Sequence, residues 1–304
     1  MKTMRSKVLV VTMVGAFILG LGGLAVVPSA FADAFFFSTG NPDGKIATAS
    51  RPGTGTFEIE SADDFVLSST TSITSATFTG LLRPTDGQSP TISQVVIEIY
   101  RIFPNDSDVG RTSGPPTFST SQVPTRVNSP SDVAFADRDS AVTGDLTFST
   151  ALLGSFTAAN SVQPGGIHPK PGQTTGGDGA VTGTEVQFSV TLTNPFLLPA
   201  DHYFFVPQVG VSGGDFLWLS APKPIVAPGT PFPPGSTDLQ SWTRDANLDP
   251  DWLRVGTDIV GGTTPLTFNA VFSLTGVTVP EPTTMVLLGF GLVGLVGFTR
   301  KLRA

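Results

Sequence analysis

The sequence has no cysteine, only two histidines, and charge on just 13% of its 304 residues. Without cysteine there is no disulfide, no thiolate metal site and no cysteine nucleophile. His168 and His202 leave little material for a histidine-based metal or catalytic centre. Glycine and proline are abundant, at 34 and 26 residues. Because both residues interrupt helices, they exclude a coiled coil or a long helical bundle.

The N-terminus has the order of a secretory signal. Three basic residues come first, Lys2, Arg5 and Lys7. An apolar stretch follows at 8–27, and Ala30 and Ala32 then supply the small side chains that a signal peptidase site requires. We therefore predict that residues 1–32 are a helical signal peptide, cleaved before Asp33. An uncleaved anchor is the alternative, since about 20 apolar residues just span a bilayer.

The C-terminus carries a second export signal. Its motif residues are Pro280, Glu281 and Pro282. An apolar stretch at 285–298 follows, and a basic tail at 300–303 comes next. This order resembles the PEP-CTERM sorting signal of exported bacterial proteins. The resemblance implies that residues 279–304 form a motif, a transmembrane helix and a cytoplasmic tail, and that an exosortase cuts near the motif.

Between the two signals lies the predicted mature domain, residues 33–278. Residues 33–279 carry 11 basic and 23 acidic residues, a net charge of −12. Such acidity repels nucleic acid and anionic membrane surfaces, so we predict neither as a partner of the mature domain. It suits a soluble exported domain and supplies carboxylates for calcium.

Apolar residues in this domain alternate with polar ones at a period of two, the pattern of half-buried strands. The runs 95–103, 185–192 and 266–274 show it most clearly. Clusters of glycine, proline, asparagine and aspartate separate the runs. The sequence therefore predicts an all-β fold, an antiparallel β-sandwich flanked by the signal helix and the transmembrane helix. Segment 62–78 resembles the opening of exported jelly-roll-type domains, which implies a jelly-roll-like sandwich.

Three segments rich in glycine or proline break the strand rhythm, at 104–130, 160–184 and 221–236. We interpret them as mobile surface insertions in one domain rather than as linkers. Shortening 165–183 should therefore cost little stability, because closure entropy depends only weakly on loop length.

Few residues suggest catalysis. Asp201 and His202 are adjacent, but no G-x-S-x-G motif supplies a nucleophile beside them. Asp63 and Asp64 form a carboxylate pair of the type that glycoside hydrolases use, at a separation that sequence does not reveal. We expect His202 to open a strand, and we assign no catalytic residue, although enzymatic activity stays an open alternative.

One segment has the composition of a calcium loop. Asp245, Asn247, Asp249 and Asp251 place an oxygen-bearing side chain at every second position. Calcium prefers six to eight hard oxygen ligands, so we predict that these four side chains bind Ca²⁺. The EF-hand pattern is not met, because Pro250 stands in the place of the glycine. The alternative is an acidic turn that faces solvent.

Trp242 and Trp252 flank this acidic segment. Aromatic rings beside carboxylates and amides are typical of sugar sites, where a ring stacks on the sugar and polar groups bind its hydroxyls. We therefore predict both tryptophans as ligand-binding residues. Core packing is the alternative, and it is the commoner role of tryptophan in a sandwich.

Together these features predict an exported, exosortase-processed surface or extracellular-matrix protein, non-enzymatic and associated with exopolysaccharide. Its precursor is transiently anchored in the inner membrane, and its partners are signal peptidase and exosortase. Two alternatives remain: a secreted polysaccharide hydrolase, and an ice- or surface-binding protein. Ice binding requires a flat threonine face, whereas Thr77 with Thr79 and Thr191 with Thr193 are isolated pairs without a repeat.

Overall fold

The computed structural model describes residues 32–85, 87–107, 127–167, 174–262 and 266–279. In these residues the alternating pattern produces strands and one short π-helix, Val255–Val260, so the all-β prediction is confirmed. The strands are β1 Ala34–Ser38, β2 Ile46–Ala49, β3 Ile59–Leu67, β4 Thr71–Pro84, β5 Thr91–Arg101, β6 Ala136–Asp139, β7 Leu146–Ala158, β8 Asn160–Val162, β9 Val181–Leu198, β10 Asp201–Ser212, β11 Gly214–Ala221, β12 Trp242–Asp245, β13 Leu253–Arg254, β14 Asn269–Ala270 and β15 Phe272–Thr278.

The strands form two sheets. A nine-stranded sheet has the order β1-β15-β4-β11-β2-β8, with β9 on the other side of β4, β7 beyond β9, and β14 on β11. A six-stranded sheet has the order β13-β12-β3-β10-β5-β6. The pairing of β2 with β8 is parallel, and the other strand pairings are antiparallel.

The inner faces of the two sheets share the main apolar core. Phe78 and Phe188 of the nine-stranded sheet stack with ring centroids 4.6 Å apart. Phe205 of the six-stranded sheet stacks on Phe272 of the other sheet at 5.0 Å. Each buried phenylalanine contributes about 1.5–3 kcal/mol of transfer free energy. The inward positions expected from the alternation are buried: Val95, Ile97, Ile99, Val186, Phe188, Val190 and Leu192.

A second apolar cluster lies around β2, β8, β11 and the π-helix. Val162 and Val181, from the two ends of the segment 160–184, are buried in it. The backbone N–H of Asp178 donates to Ser161 O at 2.8 Å. The two ends of this segment are therefore strand rather than loop, and the small cost of shortening 165–183 stays a prediction.

The predicted signal and membrane helices, at 8–27 and 285–298, lie outside the described residues. Within the described ranges, no helix is both long and apolar enough to cross a bilayer. Residues 32–279 cluster as one compact unit.

Candidate functional site

The outer face of the six-stranded sheet, turned away from the main core, holds several polar side chains of chemical interest. Alternation along β3, β10 and β12 places Asp64, His202, Trp242 and Arg244 on this face. Trp252 and other residues of the connecting segments pack over it. The face is therefore a layer of polar and aromatic groups largely shielded from solvent.

The two tryptophans predicted to bind sugar lie within this layer. Trp242 is 1% exposed and Trp252 is 0% exposed. The Trp252 indole donates to the backbone oxygen of Ser131 at 3.1 Å, and its ring meets Tyr100 edge-on at 5.4 Å. At this degree of burial both rings pack the fold. Sugar contact by them stays a prediction that would require the covering segments to open.

The predicted calcium ligands have protein partners. Asp245 Oδ1 accepts the backbone N–H of Asn247 and of the next residue, at 2.9 and 3.1 Å, which fixes a turn after β12. Asp249 Oδ1 lies 3.0 Å from Arg244 Nη1, and Asp251 is buried. Across the described ranges, no three acidic or histidine side chains converge as a metal site. The four residues thus share one turn, and calcium binding stays a prediction.

Asp63 and Asp64 point away from each other, because successive residues of a strand face opposite sides of the sheet. Asp63 Oδ2 accepts the backbone N–H of Ala270 at 2.8 Å. Asp64 Oδ2 lies 2.6 Å from Nε2 of His202 on the outer face. The strand therefore splits the carboxylate pair considered for glycoside hydrolysis, and the side-chain partner of His202 is Asp64 rather than Asp201.

Burial sets the protonation of the Asp64–His202 pair. It raises the pKa of Asp64 well above its ordinary range and lowers the pKa of His202 to about 4. Burial thus favours the uncharged form of both groups in the 2.6 Å contact. Within the described residues no serine hydroxyl bonds to His202, so the pair is not part of a Ser-His-Asp triad there.

A cavity of about 320 Å³ lies beside the segment that leads into β12, and neither Asp64 nor His202 lines it. Leu239, whose N–H donates to Asp64 Oδ2 at 3.1 Å, forms part of its wall together with Gln240 and Trp242. The buried Trp242 Nε1–H has no hydrogen-bond partner among the described residues.

Lys223 also lines this cavity, and hydrogen bonds hold its side chain in place. Its Nζ donates to Asp238 Oδ1 at 2.5 Å, to Asn269 Oδ1 at 2.9 Å, and to the Leu239 carbonyl at 2.5 Å. The backbone oxygen of Asp238 lies 3.0 Å from Nζ as a fourth acceptor, so all three hydrogens of the ammonium group have protein partners. The cation is thereby held by the protein, and it orders the segment between β11 and β12.

A cluster around Arg244 was not predicted from the sequence. Arg244 makes a bidentate ion pair with Glu60, and its guanidinium lies 4.4 Å from the Trp252 ring centroid. Tyr100 Oη donates to Glu60 Oε1 at 2.5 Å and lies 3.2 Å from Glu98 Oε2. A planar guanidinium suits both the carboxylate and the aromatic faces, which explains arginine rather than lysine at this position.

Burial and neighbouring charge perturb this cluster strongly. Burial, with the charge of Glu60, raises the pKa of Glu98 to about 9. Burial alone lowers the pKa of Arg244, but the Glu60 charge and hydrogen bond raise it above its ordinary value. Glu98 is therefore a neutral acid at pH 7, close to a carboxylate that is paired with arginine. The sequence did contain a signal, since Glu60 and Glu98 lie on the polar side of two alternating runs.

Residues 278–301 match the family model of the PEP-CTERM protein-sorting motif. The match begins at Thr278, the last residue of β15. The resemblance identified in the sequence is thereby confirmed, and the motif implies an exported protein that exosortase recognises. No curated protein and no solved structure matches the chain.

Proposed function

We propose that the exported chain acts at the cell surface or in the extracellular matrix, as a non-enzymatic component associated with exopolysaccharide. The observation that carries the proposal is the sorting motif at 278–301. In this proposal signal peptidase removes residues 1–32 by cutting after Ala32. The precursor stays anchored in the inner membrane until exosortase cuts near residues 280–282.

The ends of the described unit support this processing. Asp33 N–H donates to Thr278 Oγ1 at 2.9 Å, and Thr278 N–H donates to the Asp33 carbonyl at 2.8 Å. Beyond this junction β1 pairs with β15 in an antiparallel register, beginning with Ala34 opposite Val277. Because these bonds lie between the two proposed cleavage points, removal of both terminal segments would leave them intact.

The engagement of the chemically suggestive side chains supports the non-enzymatic part of the proposal. Asp64 is held by His202 and a backbone N–H, and Lys223 by four acceptor atoms. Arg244 and Glu60 form a buried ion pair. Groups held in this way contribute to stability and specificity of the fold.

The test is the intact mass of the protein recovered from the envelope and the medium. We expect a species that begins at Asp33 and ends within 279–282. Changing Pro280, Glu281 and Pro282 together to alanine should leave the precursor in the inner membrane.

A matched control changes Pro233 and Pro234 to alanine, in a proline-rich segment away from the motif, and should be exported normally. An exported species that retains residues 300–303 would contradict exosortase processing. Export of the triple variant at the normal level would contradict it as well.

A second candidate function is hydrolysis of polysaccharide at the Arg244 cluster. It is favoured by two carboxyl groups that reach one hydroxyl, since Tyr100 Oη lies 2.5 Å from Glu60 Oε1 and 3.2 Å from Glu98 Oε2, and burial raises the pKa of Glu98 to about 9. The test is release of reducing ends from neutral polysaccharides. Activity that Glu98→Gln lowers at least a hundredfold, and that Glu185→Gln leaves unchanged, would support hydrolysis. Absence of release would contradict it.

A further inference from the structure

The outer face of the nine-stranded sheet is built differently from that of the six-stranded sheet. On it the strands β1, β15, β4, β9 and β7 lie side by side, and their register aligns small hydroxyl side chains across the strands. One row is Ser38, Ser273, Thr77, Ser189 and Ser149. The next row is Phe36, Thr275, Ser75, Thr191 and Thr147. We call these ten residues the hydroxyl face.

The orientation of the hydroxyl face follows from the row between the two. That row includes Phe37, Leu274, Ala76 and Val190, all of which are buried in the main core. Because neighbouring residues in a strand alternate in direction, the two hydroxyl rows point outward. Thr147, Ser149, Ser189, Thr191 and Thr275 are exposed.

The dimensions of the face suit an extended chain. Strands lie about 4.8 Å apart, so a row across five strands is about 19 Å long. Neighbouring strands rotate by about 20–25°, so the rows follow a twisted surface. A flexible polymer can follow such a twist, whereas the plane of a rigid crystal such as ice cannot match it across five strands.

The charge of the face limits the partner. None of the ten positions is charged, although residues 33–279 carry a net charge of −12. A cation or a basic protein would find no carboxylate within the two rows. Hydroxyl groups both donate and accept hydrogen bonds, so the rows complement a neutral polymer that is itself rich in hydroxyls. At one end Phe36, 57% exposed, offers a ring on which a sugar can stack.

We propose that the hydroxyl face binds a neutral polysaccharide chain laid along the two rows. The proposal rests on the proposed export, since such polymers lie outside the cell, and it names the surface that contacts them. The sequence alone does not predict this surface, because its rows run across strands that are distant in the chain.

The test is affinity electrophoresis of the full chain, in nonionic detergent, through gels that contain hydroxyethyl cellulose, dextran or glucomannan. We expect at least one of these neutral polymers to retard the protein, and the charged polymer alginate not to. The double variant Ser149→Glu, Thr191→Glu should bind at least tenfold more weakly. Thr150→Glu, one residue along β7 and also exposed but on the other face, should bind normally.

Normal migration in all three neutral gels would overturn the proposal, as would retardation that the double variant keeps. Thermal hysteresis in freezing solution, without retardation, would assign the face to ice instead. Equal melting temperatures of the variants and the wild type establish that the fold is kept. Because the gel test uses the full chain, it does not depend on processing. Loss of polymer binding and loss of exosortase processing are therefore separate outcomes.

Discussion

The outer faces of the two sheets treat their polar side chains in opposite ways. On the six-stranded sheet the polar side chains are covered by other segments and bond in two pairs, Asp64 with His202 and Glu60 with Arg244. On the nine-stranded sheet the residues of the hydroxyl face are exposed or half-buried, and none is charged. One face therefore uses polar chemistry inside the fold, and the other presents it outside.

This difference indicates where stability and binding reside. Groups that are buried and paired cost several kcal/mol when one partner is lost, because the other is left without compensation. Exposed groups away from special features change stability by less than about 0.5 kcal/mol when substituted. The covered face should therefore respond to mutation mainly in stability, and the open face mainly in ligand binding.

The largest effect is expected at the buried ion pair. Arg244→Met leaves the Glu60 carboxylate buried without its cation, which should lower the free energy of unfolding by about 3–5 kcal/mol. Arg101→Met is the control, since both members of its pair with Asp106 are partly exposed. Chemical denaturation measures both variants.

The double variant Arg244→Met, Glu60→Leu should recover much of the loss, because it removes both charges together. Equal losses in Arg244→Met and Arg101→Met would show that the covered face does not depend on its ion pair.

The next effect is a dependence of stability on pH. The folded-state pKa of Glu98 is about 9, above its ordinary 4.5, so its stabilising contribution is complete below pH 4.5 and is lost as pH rises toward 9. His202 acts in the opposite sense, since its folded-state pKa of about 4 lies below 6.5, and its contribution is lost as pH falls toward 4. Stability should therefore decline between pH 6.5 and 9.

Glu98→Gln should reduce this decline, because glutamine resembles the neutral acid and does not ionise. Denaturant midpoints at pH 6.5, 7.5 and 8.5 measure the slope for the wild type and the variant. Glu185→Gln is the control, because Glu185 lies outside the Arg244 cluster, and it should keep the wild-type slope. An unchanged slope in Glu98→Gln would show that ionisation of Glu98 does not cause the decline.

The sequence predicted the strands and their faces well where the alternation was clear. Val186, Phe188 and Val190 are buried in the core, as their period of two indicates. It could not predict which strands become neighbours. Glu60 and Arg244 are separated by 184 positions, and alternation identifies the face of a residue but not its partner.

The hydroxyl face shows the same limit. Along the chain Thr77 and Thr191 belong to isolated pairs without a repeat. In the sheet Ser75 pairs with Thr191 and Thr77 with Ser189, so the repeat runs across strands. Only the register, which depends on bulges such as the one between Ile73 and Ser75, brings these residues into rows.

A smaller effect is expected from calcium at the acidic turn. Binding would require Asp249 to exchange its contact with Arg244 for the ion, so we expect a weak site, with a dissociation constant of about 0.1–1 mM as in extracellular calcium modules. At ten times the dissociation constant it would amount to about 1.4 kcal/mol. Melting in EDTA and in calcium measures it. Asp249→Asn should remove the calcium-dependent shift of the melting temperature, and Asp258→Asn should not. A wild-type melting temperature that does not change with calcium would contradict calcium binding at this turn.

The smallest effect is expected on the hydroxyl face itself. Thr191→Val keeps the shape of an exposed side chain and removes only its hydroxyl, so the free energy of unfolding should change by less than about 0.5 kcal/mol. Val190→Thr makes the reverse exchange one residue away in the core and should cost about 1–3 kcal/mol. Denaturant titration of these two variants compares the two faces of β9 at consecutive residues. Equal losses would mean that the hydroxyls hold the fold together and are not free for a ligand.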